Sequence, residues 1–374
     1  MTSGVKPVNP EPDGFSASTE SAPIGFSTNR WTLARKLLLV VIVTVISGLI
    51  GEMYGAIFYA SSEFDYYIGF RIGASLGLFS ATTEIFYIRA QRRSWIRRVP
   101  FLTGLLVRIV VLTIVIRICL VGNQLLTEWL LTSPTRSFQL ELTAANQVRD
   151  TLISLALVIV FVIITQVFSI IGFRRFINLV VGRYFRPVSE NRVFMFVDIV
   201  GSTRLARSLG DVRFHDYLSE FFHCVDGAIV ENGGEIVSYV GDAVIVTWPL
   251  GSNRKDNARC FLALRSMLAR VNASRSLFES EFGEAPVFRA ALHGGPVVVG
   301  ECGDSRRQVT FLGDTPNLTS RIETVTKEQD EAFLASATLI DRLDVPAGMS
   351  VQSIGKHAVR GVDDPVELFR VVFG

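Results

Sequence analysis

Four stretches of the chain are apolar with only isolated charges inside them: residues 37–60, 67–88, 101–126 and 151–173. At about 1.5 Å per residue each can cross a hydrocarbon layer of about 30 Å as a helix. They predict an all-α membrane domain of four helices over residues 31–173. Ahead of it, residues 1–30 are rich in Ser, Thr, Pro, Gly and Asn and lack the apolar core of a signal peptide, which predicts a disordered tail.

Past residue 174 the pattern changes. Residues 174–190 keep a helical spacing of apolar positions that ends near Pro187, because the residue before a proline is driven out of helical conformation; they read as a helical connector. RVFMFV (192–197) reads as a strand that ends on Asp198, and a helical pattern begins near Thr203. EIVSYVGDAVIVTW (235–248) reads as two strands joined by Gly241-Asp242. VTFLGDTPNLTSRIE (309–323) opens a helix on which Asn317 and Arg321, four residues apart, share one face. Residues 191–374 are thus expected to form a separate globular domain.

Composition agrees with a membrane protein carrying a soluble domain. Of 374 residues, 49% are hydrophobic and 19% charged, below the roughly 25% charged of soluble domains, and the mean hydropathy is +0.38. Lys plus Arg number 37 and Asp plus Glu 35, a net charge of +2, which leaves no basic field for nucleic acid. The four cysteines, Cys119, Cys224, Cys260 and Cys302, form no CxxC pair and read as reduced packing residues. None of the four histidines lies in a span, which excludes a bis-histidine haem in the membrane.

Lys and Arg near span ends mark the cytoplasmic side. Arg30, Arg35 and Lys36 precede the first span, Arg89, Arg92, Arg93, Arg97 and Arg98 separate the second from the third, and Arg174, Arg175, Arg183 and Arg186 follow the fourth. The remaining loops hold Glu63 and Asp65, and Glu128, Arg136, Glu141, Arg149 and Asp150. The pattern predicts a multi-pass protein of the cell's inner (plasma) membrane with both termini cytoplasmic. Inside the spans, Glu84 and Arg108 fall in the inner half and Glu52, Arg71 and Arg117 in the outer half, so opposite charges share depths. They read either as a signal-sensing network for an unidentified ligand or partner, or as pairing that holds the bundle together.

A carboxylate at a strand end, followed by a helix start at Gly201, Ser202 and Thr203, suits a magnesium triphosphate: the metal takes oxygen ligands and the helix N-terminus favours anions. Should the Asp242 hairpin lie beside that strand, two carboxylates converge and can hold two metal ions about 4 Å apart. Taken singly, the same segments read as a capped helix, an ordinary hairpin turn and, for Asn317 and Arg321, a solvated helix face.

FVDIVGST, YVGDAV, RAALHGG and VTFLGDTPNLTSR stand in the order and approximate spacing of the class III adenylate/guanylate cyclase catalytic domain, and residues 192–374 resemble that family. The resemblance implies an α+β ferredoxin-like core, βαββαβ, working as a homodimer with sites at the subunit interface. It implies Asp198 and Asp242 as ligands of two Mg2+ ions, with Mn2+ as an alternative and the Ile199 carbonyl as a further ligand. Arg289 resembles the phosphate-contacting arginine of the same subunit. From the partner come a ribose-orienting residue, resembled by Asn317, and a transition-state arginine, resembled by Arg321. Thr310 falls where the adenine amine is read. The family's purine-reading lysine is replaced by Ser238, and Arg360 substitutes for a phosphate-binding lysine near the C-terminus. The implied activity is conversion of ATP to cyclic AMP in the membrane; a guanylate cyclase and a degenerate nucleotide-binding signalling module are the alternatives. Gly233-Gly234-Glu235 resembles the start of a diguanylate-cyclase signature but continues Ile-Val, and reads as a turn before a strand.

Overall fold

The computed structural model describes residues 28–58, 66–91, 101–130, 148, 152–153, 155–156, 158–164, 181–305 and 308–374. Three long helices come first: α1 (Thr28–Phe58), α2 (Tyr66–Gln91) and α3 (Phe101–Leu130). Residues 28–30 are therefore helical rather than part of a disordered tail; residues 1–27 lie outside the described residues. Val40–Ile57 and Leu102–Asn123 are long and apolar enough to cross a membrane, with mean hydropathies of 1.9 and 2.6. The fourth expected span is described only in part, and those parts are helical. The charges of the three connecting loops, Arg89 and Glu128 apart, lie outside the described residues.

Helices α1 and α2 meet backbone to backbone along Ser47 and Gly51 on one side and Gly69, Gly73 and Gly77 on the other. A Cβ on Gly73 would overlap the Ser47 carbonyl oxygen. Small residues four apart open such a seam, and the gain is dispersion between the two backbones. Helix α2 is tied to α3 by polar groups: Arg71 Nη2 donates to the Asn123 carbonyl at 3.2 Å, and Asn123 Nδ2 donates to Ser75 Oγ at 2.8 Å.

The described residues resume at 181 and belong to the second compact unit, which comprises Arg89–Val110 and Leu152–Gly374. From there its elements are β1 (Val188–Ile199), α4 (Ser202–Leu209), α5 (Asp211–Glu231), β2 (Glu235–Val240), β3 (Ala243–Pro249), α6 (Arg254–Asn257), α7 (Arg259–Ala273), α8 (Arg275–Phe282), β4 (Phe288–Cys302), β5 (Gln308–Leu312), α9 (Asp314–Glu328), β6 (Phe333–Ser336), α10 (Ala337–Ile340), β7 (Met349–His357) and β8 (Val366–Phe373). One sheet runs β2-β3-β1-β4-β6-β8-β7, with β5 paired to β4. Strand β1 is antiparallel to both β3 and β4, and β2 is antiparallel to β3. That is the split βαββαβ arrangement the resemblance implies, extended by a parallel β4–β6 pair into a mixed sheet.

Alternation along β1 sorts its side chains. Val193, Met195, Val197 and Ile199 are at most 2% exposed in the main core, which they share with Tyr217, Phe221, Val225 and Ile229 of α5 and Phe261, Leu264 and Met267 of α7. Phe194, Phe196 and Asp198 occupy the other face. Phe194 there joins Tyr184, Val297 and Val299 in a separate cluster, and α9 covers part of the same face through Ile322 and Val325 against Ala291.

Strand β1 begins four residues before the expected Arg192, because Val188 to Asn191 pair with Val299 to Pro296. Residues 181–186 form a turn rather than the end of a helix; Gly182, at φ 68°, and Pro187 both oppose helix. Residues 174–180 lie outside the described residues. The turn is anchored by Tyr184, 4% exposed, whose hydroxyl accepts from Arg192 Nη2 at 3.1 Å. Arg192 also pairs with Glu190 at 3.0 Å and lies over the Phe311 ring.

Candidate active site

Asp198 closes β1 on the face away from α5 and α7. Val197 pairs with Val244 and Val240 with Ala243, so the Gly241-Asp242 turn sits at the sheet end where Asp198 emerges. Gly241 has φ 62°, the left-handed conformation a two-residue hairpin turn demands. The two carboxylates interact: burial pushes the Asp198 pKa up to about 6, with the negative charge of Asp242 adding to it and Lys327 opposing. Two carboxylates and the Ile199 main-chain carbonyl form an all-oxygen set, the chemistry magnesium or manganese takes. A cation already answers that field, since Lys327 Nζ lies 2.8 Å from Asp198 Oδ2. The residues present fit a divalent metal site.

Just beyond, Gly201 adopts φ 72° and caps α4, whose first residues are Ser202 and Thr203. Its carbonyl accepts from Leu205 N at 3.0 Å. The first-turn N–H groups of such a helix have no acceptor within the helix and face an anion favourably.

Arg289 stands opposite Asp198 in the β1–β4 ladder. Its guanidinium is held by Asp330 Oδ1 at 2.5 Å. Asp330, at φ 52°, is the one non-glycine residue with positive φ among the described residues. It follows α9 closely, so the end of α9 supplies a cation to Asp198 and an anion to Arg289.

Asn317 and Arg321 lie on the first half of α9. Asn317 Nδ2 donates to the Gly313 carbonyl at 3.1 Å, and Arg321 Nη1 donates to the Gly361 carbonyl at 3.0 Å. The second contact brings Arg321 beside the loop that carries Arg360, which is exposed. At 3.6 residues per turn, the Asn317–Arg321 pair lies about 120° around the axis from the Glu323–Lys327 pair. Asp198 of the same chain is met by Lys327, not by Arg321.

Ser238 pairs with Ile245, and Ile245 with Phe196, a row of three on the Asp198 face. Thr310 pairs with Gly300 near the far end of β4. Its hydroxyl has the Gly300 carbonyl and the Cys302 sulfur as acceptors, both at 3.1 Å. Cys302 is exposed, which corrects the reading of all four cysteines as packing residues; Cys119, Cys224 and Cys260 are buried, and all four are free. Cys302 ends β4 beyond its pairing with β1, where it has β5 alone as a neighbour and alternation no longer buries its side chain.

Three further residues belong to this constellation: Glu323, Lys327 and Asp330. The sequence did carry a sign of the first two, since Glu and Lys four apart mark a helix face with paired charges, but that pattern usually denotes a solvated surface. Nothing local distinguishes Asp330 from an ordinary loop aspartate.

Residues 187–371 match the family described as "Adenylate and Guanylate cyclase catalytic domain". "Adenylate cyclase 2" of Rhizobium meliloti (strain 1021) is 37% identical over 200 residues, covering 54% of this chain and 55% of that protein. "Adenylate cyclase" of Anabaena cylindrica is 28% identical over 186 residues, covering 49% of this chain and 37% of that protein. The chain thus spans about half or less of these relatives' length. Among solved structures, the adenylyl cyclase CyaB of P. aeruginosa is 24% identical, with a TM-score of 0.43, covering 50% of this chain and 97% of that one. Through residues 187–371, the chain belongs to the class III adenylate/guanylate cyclase family.

Proposed function

We propose that this chain is a membrane-bound adenylate cyclase that converts ATP to 3′,5′-cyclic AMP and pyrophosphate at the interface of a homodimer. The observation that carries the reading is the meeting of Asp198 and Asp242 at one sheet end, beside the start of α4 and opposite Arg289. Asp198, Asp242 and the Ile199 carbonyl would hold two magnesium ions, or manganese in their place. Bound there, the metal would neutralise phosphate charge and make the ribose 3′-hydroxyl more acidic.

The chain's own groups do the rest. Arg289 and the α4 start at Gly201, Ser202 and Thr203 orient the polyphosphate, with Arg360 beside it. Asn317 holds the ribose so that its 3′-oxygen faces the α-phosphorus. Arg321 meets the charge that builds on the pentavalent phosphorus as pyrophosphate departs. Positioning supplies much of the rate, because little covalent work falls to the protein. The turn of Asn317 and Arg321 away from their own Asp198 supports a site completed by a second protomer. Four membrane helices, with both termini cytoplasmic, would place that site where ATP is found.

The test is product analysis. The purified full-length chain, given ATP or GTP with magnesium or manganese, should yield cyclic AMP and pyrophosphate. Cyclic GMP as the main product would favour the guanylate reading, and no cyclic nucleotide under any condition would leave the signalling-module reading.

A further inference from the structure

The end of α9 places a cation on one expected ligand group of the substrate and an anion on another. Lys327 Nζ lies 2.8 Å from Asp198 Oδ2 and 2.7 Å from Glu323 Oε1. Three residues on, Asp330 holds Arg289 at 2.5 Å from a left-handed backbone position. Asp198 and Arg289 face each other across β1 and β4, so both intruding charges meet the same strand pair. The signs are those of the substrate complex: positive on the metal carboxylate, negative on the phosphate arginine.

We propose that residues 323–330 are an internal stand-in for the metal–triphosphate, which substrate must displace. The proposal rests on the two-metal reading above. In the substrate-free chain Lys327 neutralises Asp198, which burial would otherwise leave a costly lone charge, and Asp330 likewise occupies Arg289. Glu323 retains Lys327 by an i,i+4 pair once a divalent ion takes Asp198, so release costs little. Asp330 swings outward, its side chain being 91% exposed while Arg289 is 18% exposed.

The two halves of the stand-in predict two separable effects. On the full-length chain in detergent, with no nucleotide, Mn2+ binding is read by electron paramagnetic resonance of free Mn2+, and tripolyphosphate binding by calorimetry without metal. Lys327→Met should tighten Mn2+ about threefold to fivefold, the upper part of the range for loss of one competing ion pair, and Asp330→Asn should tighten tripolyphosphate by a similar factor. Each change should leave the other ligand's affinity within about twofold. Lys356→Met, on exposed β7, controls for net charge. Circular dichroism and the melting temperature establish folding, and Lys327→Gln serves if the Met variant fails to fold. Unchanged or weaker Mn2+ binding in Lys327→Met, a Lys356→Met effect as large, or unchanged tripolyphosphate binding in Asp330→Asn would each overturn the stand-in. Failure of the wild-type chain to bind Mn2+ in an Asp198-dependent way is a different result: it removes the two-metal reading, and the stand-in with it.

Discussion

Asp198 and Arg289 are partners in the β1–β4 ladder, so one pair of neighbouring strands presents the expected metal carboxylate and the expected phosphate guanidinium on one face. Cross-strand partners sit about 5 Å apart at Cβ, close enough for one phosphate chain to reach both groups. Asp198 and Asp242 both stand outside the hydrophobic clusters. Asp198→Asn and Asp242→Ala should therefore lower turnover at least about a hundredfold, the loss of several kcal/mol of charge stabilisation, while melting within a few degrees of wild type. A folded variant that keeps near-normal turnover would defeat the metal assignment.

The division of α9 into two faces makes complementation the next expectation. A chain with Asp198→Ala and a chain with Arg321→Ala should each be inactive alone, yet recover part of the activity when co-assembled, since one of two composite sites keeps every group. Measured on purified heterodimers, recovery should approach half of the wild-type rate at most. A verified heterodimer with no activity would place the whole site within one chain.

Much of this was legible in the sequence because it is local. Asp198 follows an apolar run whose alternation any strand shows, and Gly241-Asp242 is a hairpin turn by its dipeptide alone. Asn317 and Arg321 share a face by spacing. What escaped depends on which segments fold against one another. Lys327 and Asp330 matter because α9 lies across the end of β1 and β4, a relation set by Ile322 and Val325 packing on Ala291. The early start of β1 escaped for a similar reason: Ser189, Glu190 and Asn191 have weak strand propensity and are held by pairing with Val298, Val297 and Pro296.

Topology is tested by reporter fusions. The alternation of basic and acid-bearing loops predicts that fusions after Glu63 and near Arg136 report the outside, and fusions after Arg93 and at the C-terminus the cytoplasm. A C-terminal reporter active only outside would sever the catalytic domain from ATP.

His293 gives the domain an acid sensitivity of its own. It is 7% exposed, its Nδ1 is 2.7 Å from Ser336 Oγ, and burial lowers its pKa to about 4. The unfolded chain takes up a proton near pH 6.5 that the folded domain refuses until about pH 4, so stability falls as pH drops through that window. The full loss is about 3 kcal/mol at about 1.4 kcal/mol per pH unit. His293→Gln, which keeps a hydrogen-bonding group for Ser336, should show a shallower fall in melting temperature between pH 7 and pH 4.5. Parallel curves for variant and wild type would show that His293 is not the sensitive group.

Base selectivity turns on where one proton points. The Thr310 hydroxyl has two acceptors in its own hairpin, the Gly300 carbonyl and the Cys302 sulfur, and its single hydrogen serves one of them. The oxygen then offers a lone pair outward, an acceptor. Adenine presents an amine at its six position and guanine a carbonyl, so on the proposed reading of Thr310 the hairpin would favour adenine by roughly 1 kcal/mol, about fivefold. On the same proposed reading, Ser238 would add a neutral donor where the family's lysine would add a charged one, which is worth about 1.5–3 kcal/mol. ATP should be preferred by a modest margin with a high Michaelis constant, Thr310→Val should erase most of the margin, and Ser238→Lys should lower the constant for ATP. Catalytic efficiencies for ATP and GTP decide it: GTP turned over as well as ATP by the unmodified chain would sink the adenylate assignment and leave the cyclase assignment standing.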